Sequence, residues 1–70
     1  MSLQMTLEEI WKQNGINTRF AYTDDHFYTY TIVGRWKYGI LYTTQCGNDI
    51  FKNVYRLKFE QNIDEYEVLP

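Results

Sequence analysis

His26 is the one histidine of this 70-residue chain and Cys46 its one cysteine, and Asp24, Asp25 and Asp49 stand close to them in sequence. If both segments are turns of an antiparallel meander, alternate turns fall at the same end of the sheet. A thiol, an imidazole and three carboxylates would then meet, with the parts of a Cys–His nucleophile pair or a metal site. The spacing supports neither, because no interval typical of zinc ligands is present. Asp, Asn and Gly also populate turns for backbone reasons alone. His26 reads more simply as a strand-edge residue and Cys46 as a small loop residue. No Gly-x-Gly-x-x-Gly or Walker run occurs to cradle phosphates. The sequence therefore predicts a protein that is not an enzyme and uses neither a metal nor a cofactor.

Tyrosines and cations carry a second kind of chemistry. Arg19, Tyr28, Tyr30, Lys37 and Leu41, with Arg56 if its segment is a strand, are the candidate binding residues. Rings that stack and cations that neutralise phosphates are what a sheet needs to hold single-stranded nucleic acid. Exposed tyrosines beside aliphatic residues serve a protein interface equally well. The plain alternative is that strands favour tyrosine and solvated faces carry Lys and Arg. Charge decides the order of the binding readings. The net charge is −2, whereas nucleic-acid affinity comes mainly from neutralising phosphates. A protein partner, another copy or a different chain, is the first expectation, and nucleic acid is the alternative.

Charge is unevenly spread. Residues 1–15 carry a net −1, residues 16–59 a net +3 and residues 60–70 a net −4. The acidic end, with Glu60, Asp64, Glu65 and Glu67, reads as a solvated edge or tail.

These side chains need elements to position them. Thr6-Leu7-Glu8-Glu9 is a capping box, with Met5 and Ile10 at staple spacing. Leu7, Ile10 and Trp11 fall on one helical stripe, and Gly15 is placed to end the helix. The spacing predicts a helix over residues 6–14, too short to be stable unless it packs on something. From Thr18 onward, β-branched and aromatic residues alternate with turn signals. Strands are expected at Thr18–Thr23, His26–Val33 and Trp36–Thr43, with turns at Asp24-Asp25 and Gly34-Arg35 and a loop over Gln45–Asp49. Residues 50–59 read as a fourth strand, with a helix as the alternative on the pairs Phe51/Val54/Tyr55/Lys58. Tyr66–Leu69 reads as a short edge strand.

Those turns set the faces. Phe20, Tyr22, Phe27, Val33, Trp36, Tyr38, Ile40 and Tyr42 would share the helix-covered core face, with Phe51, Tyr55, Leu57 and Phe59 joining from strand four. Trp11 and Trp36 would both be largely buried. Arg19, Ala21, Tyr28, Tyr30, Ile32, Lys37, Gly39 and Leu41 would line the second face, with Tyr30 opposite Gly39. A slip of one residue would exchange the faces.

The expected class is α+β, a short N-terminal helix on one face of a three- to five-stranded antiparallel meander sheet, forming one domain over residues 1–70. Met5 offers an alternative start, which would make residues 1–4 an addition. A single cysteine permits no internal disulfide and suits a reducing cytoplasm. No apolar run approaches the ~18 residues of a membrane span, and the N-terminus lacks the pattern of a signal peptide. A domain with one face covered by one short helix is also a candidate for self-association, through the uncovered face or an unpaired edge strand.

Overall fold

The computed structural model describes residues 4–59 and 65–70. The class is the expected one: a helix followed by an antiparallel meander. Helix α1 is Leu7–Asn14, and the strands are β1 (Arg19–Tyr22), β2 (Asp25–Trp36), β3 (Gly39–Cys46), β4 (Asp49–Lys58) and β5 (Tyr66–Val68). They form one sheet in the order β4-β3-β2-β1-β5, all pairs antiparallel. Residues 49–58 are strand, which settles the strand-or-helix alternative there. Glu60 and Asp64 of the acidic end lie outside the described residues.

The helix forms where its signals coincide. Thr6 Oγ1 accepts from the Glu9 amide at 3.1 Å, and Glu9 Oε1 accepts from the Thr6 amide at 2.9 Å. Two amide groups that the helix itself cannot satisfy are thereby paired. Gly15, at φ +77°, ends the helix. Leu7 and Ile10 are fully buried against Phe20, Ile32 and Ile40 of the sheet. Met5 extends the sheet by one rung, exchanging backbone bonds with Tyr66 at 2.7 and 3.1 Å.

The hairpins differ from the expected ones, and the difference is physical. Gly34-Arg35 is not a turn. Gly34 lies within β2 and lacks the positive φ that glycine-first hairpin turns require. It stands opposite Leu41, whose Cδ1 lies 3.2 Å from where a Cβ would be, so glycine there makes room for leucine. The chain turns instead at Lys37-Tyr38. Arg35 holds this turn, its Nη1 donating to the carbonyls of Trp36 and Gly39, the latter at 2.7 Å. Gly39 then passes so close to β4 that a Cβ would lie 1.8 Å from the Leu57 carbonyl oxygen. The first turn is Thr23-Asp24, one residue earlier than expected, and the expected Gln45–Asp49 loop contracts to Gly47-Asn48, with Gly47 at φ +59°.

Two irregularities complete the change of face. The β1–β2 register shifts between Phe20 and Tyr22, and the β2–β3 register shifts between Ile32 and Gly34. Phe20 therefore pairs with Tyr30, not Thr29, and Ile32 with Tyr42. Tyr30 and Ile32 point to the helix side, while Phe27 and Val33 are exposed. The expected faces of β2 are thus exchanged, whereas Phe20, Tyr22, Ile40, Tyr42 and Leu57 lie on the core side as expected. Trp11 and Trp36 are half-buried, not largely buried. Trp36 stands on the side away from the helix, beneath the Arg56 guanidinium at 5.1 Å.

This exchange has a direct consequence for stability. Tyr30→Ala removes a ring that packs on Phe20, Tyr22 and Tyr42, and should cost roughly 2–4 kcal/mol. Phe27→Ala, at a position 65% exposed, should stay within about 0.5 kcal/mol. Urea midpoints of the two variants test this, and equal losses would contradict the described faces.

Candidate binding surface

Each of the five strands contributes one tyrosine to a single row on the helix side of the sheet. From β5 to β4 these are Tyr66, Tyr22, Tyr30, Tyr42 and Tyr55, with successive ring centroids 4.9, 5.9, 5.4 and 5.8 Å apart. Such distances lie within the range of favourable aromatic pairing. Two central edge-to-face contacts, Tyr22–Tyr30 and Tyr30–Tyr42, are flanked by a tilted one at each end. Tyr66 and Tyr22 are direct cross-strand partners, as are Tyr42 and Tyr55, while Tyr30, opposite Phe20 and Thr44, reaches Tyr22 and Tyr42 diagonally on the same face.

Cover over the row is graded. Tyr66, beside Met5 and Leu7, is 6% exposed, whereas Tyr55 on the edge strand is 45% exposed. An eight-residue helix reaches only one end of the sheet. Beyond it, Tyr28, Tyr30, Tyr42, Thr44, Phe51 and Tyr55 line an open concavity of about 390 Å³. Four phenols, one phenyl ring and one threonine surround it, with no cation among them. Rings of this kind offer large rigid contact area, and each phenol adds a donor and an acceptor.

The row is also electrostatically distinctive. Burial raises the Tyr30 pKa above the ordinary phenol value, with smaller contributions from Tyr22, Tyr42, Asp25 and Tyr28. Burial likewise raises that of Tyr42, helped by Tyr22 and Tyr55. Tyr66 is pushed up furthest, by burial first and then by its hydrogen bond with Tyr22. All three phenols therefore stay neutral further into the alkaline range than an ordinary tyrosine does.

The six residues expected to bind do not form one surface. Tyr28 and Tyr30 line the concavity on the helix side. Leu41 and Arg56 face each other on the opposite side of the sheet, together with Trp36. Arg19 pairs with Thr31 and its Nη2 approaches Thr29 Oγ1 at 3.4 Å, on that same opposite side. Lys37 sits in the β2–β3 turn with its Nζ 5.3 Å from the Tyr38 ring. Tyr30 lies opposite Thr44, and Gly39 lies opposite Trp36 and Lys58. Tyr42, Thr44, Phe51 and Tyr55 line the concavity without having been singled out from the sequence. The signal that would have found them is a tyrosine at an inward position in every strand.

The residues with potential for catalysis are engaged separately. His26 of β2 pairs through Nε2 with Glu67 Oε1 of β5, across the intervening strand β1, and Cys46 is a half-buried free thiol. Among the described residues no group of three His, Cys, Asp or Glu side chains is arranged to hold a metal ion. No helix among them is long and apolar enough to cross a membrane. No family model, curated protein or solved structure matches the chain.

The raised phenols set an alkaline limit. A tyrosine whose pKa is higher folded than unfolded supports the fold fully below the unfolded value of about 10 and loses that support as pH climbs through the folded value. Stability should therefore fall as pH rises above about 10. Phenolate absorbance should show a delayed component that merges with the rest on unfolding in urea. A single midpoint near the unfolded value, with the fold intact, would contradict the buried row.

Proposed function

We propose that this chain is a non-enzymatic binding module that holds a protein partner on the tyrosine-lined concavity beyond its helix. The observation that supports this reading most is the graded cover of the tyrosine row. Large apolar rings left open to water are unfavourable unless something occupies them. Tyr28, Phe51 and Tyr55 are each more than two-fifths exposed, around a concavity whose floor is the better-packed Tyr30 and Tyr42. Aromatic anchors over a packed floor are the usual source of binding energy at protein interfaces. An accessory or inhibitory role in a reducing cytoplasm fits a small domain with a single free thiol.

Single-stranded nucleic acid is less well supported. Stacking and phosphate neutralisation must act on the same strand of ligand. Here Arg19 and Arg56 stand on the face away from the open tyrosines.

Immobilised protein should capture a protein partner from its native lysate that survives nuclease treatment. Tyr28→Ala, on the rim of the concavity, should weaken that binding at least ~10-fold, as loss of an interface anchor does. Arg19→Ala should leave it within a few-fold. Log affinity that falls with log salt at a slope near −3, as neutralising about four phosphates would produce, or capture abolished by nuclease, would overturn the proposal in favour of nucleic acid.

A further inference from the structure

The two ends of the sheet carry opposite charge. At the Lys37-Tyr38 end stand Arg35, Lys37 and Lys58, the last opposite Gly39. At the other end, the Thr23-Asp24 and Gly47-Asn48 turns carry Asp24, Asp25 and Asp49 in or beside them. Tyr28, Thr44 and Phe51 place the open concavity toward this second, acidic end.

Two of the carboxylates stand on the tyrosine side itself. Asp25 is the cross-strand partner of Tyr22 and so shares its face. Its charge is felt at Tyr30, where it adds to the rise of the phenol pKa. Asp49–Phe51 run against Thr44–Cys46 residue for residue, and the register of β4 shifts only beyond them, between Tyr42 and Thr44. Alternation in this regular stretch puts Asp49 on the same face as Phe51. Both aspartates are exposed.

Cations are kept away from the same place. Among the described residues no Lys or Arg lines the concavity. Arg19 and Arg56 occupy the opposite face, and Lys52 follows Phe51 in β4 without lining the concavity. What remains is a set of five rings with two carboxylates on their side of the sheet. Ring faces are electron-rich and attract cations. An anionic or phosphate-bearing ligand would meet repulsion from Asp25 and Asp49.

We propose that the concavity receives a cationic side chain of the protein partner, arginine above all, with its guanidinium against the rings and its charge balanced by Asp25 and Asp49. This rests on the reading that a protein partner occupies the concavity, and it names the chemistry of that partner. A guanidinium is planar, weakly hydrated and suited both to stacking on aromatic faces and to donating to carboxylates. A lysine ammonium holds its water more tightly and has only the point charge to offer.

A capped glycine-arginine-glycine peptide and its citrulline counterpart, which keeps the shape and loses the charge, are the probes. Each is titrated into the millimolar range while the aromatic ring signals are followed by nuclear magnetic resonance. The arginine peptide should shift the rings of Tyr42, Phe51 and Tyr55 and leave the Trp36 indole unmoved. It should bind about 3- to 20-fold more tightly than the citrulline peptide at low salt. That gap should narrow in high salt and in the double variant D25N/D49N. Asparagine at 25 can still accept from the Phe27 amide as Asp25 does at 2.9 Å, so the turn is kept. Equal binding of the two peptides would overturn the inference, as would an arginine peptide that leaves the three rings unmoved. An unchanged gap in D25N/D49N would overturn the part given to the aspartates. Equal binding leaves the concavity itself occupied. Failure of the partner-binding reading is a different result, lysate capture that Tyr28→Ala does not weaken.

Discussion

The rest of the structure depends on five tyrosines, one from each strand, standing in a row across the sheet. Each ring touches the next, so each strand pair is held in register by a contact that a one-residue slip would abolish. The row also connects the two ends of the sheet. At the β5 end its rings enter the core with Phe20, Met5 and Leu7, and at the β4 end they line the open concavity. Core and candidate binding surface are therefore two ends of one interaction.

The helix sets where one becomes the other. A chain this small buries little surface, and an isolated helix of eight residues is marginal in water. It forms because the Thr6–Glu9 capping box closes its first turn and because Leu7 and Ile10 are fully buried on the sheet. Its length limits its reach. Trp11 lies 5.7 Å from the Arg35 guanidinium, which also covers Phe59 at 4.7 Å. Arg35 thus joins the helix to the sheet as well as holding the Lys37-Tyr38 turn. On the far side of the sheet, Arg56 over Trp36 performs a similar covering role.

Much of this was legible in the residues. The capping box, the glycine stop, the five strands and the core positions of Phe20, Tyr22, Ile40 and Tyr42 follow from local pattern. Local pattern misled where long-range packing decides. Gly34 looks like a turn residue, but it serves to admit Leu41. Nothing local marks Lys37-Tyr38 as the turn, because Arg35 supplies its hydrogen bonds from outside it. Moving the turns and inserting the two register shifts exchanges the faces of β2, which carries Tyr30 from an expected outer surface into the row. The candidate site changed with it: Tyr28 and Tyr30 parted from Arg19, Leu41 and Arg56 and joined Tyr42 and Tyr55. Alternation along a single strand carries no information about bulges in its partner.

The most direct test of the row is the set of side-chain nuclear Overhauser contacts between β2 and β3. The described register predicts strong contacts between the Tyr30 and Tyr42 rings and between Ile32 and Tyr42, with Phe27 showing none to Tyr42. Contacts from Phe27 to Tyr42 and from Thr29 to Ile40 would instead mean that the chain turns at Gly34-Arg35, that the row of tyrosines does not exist, and that the account built on it is wrong.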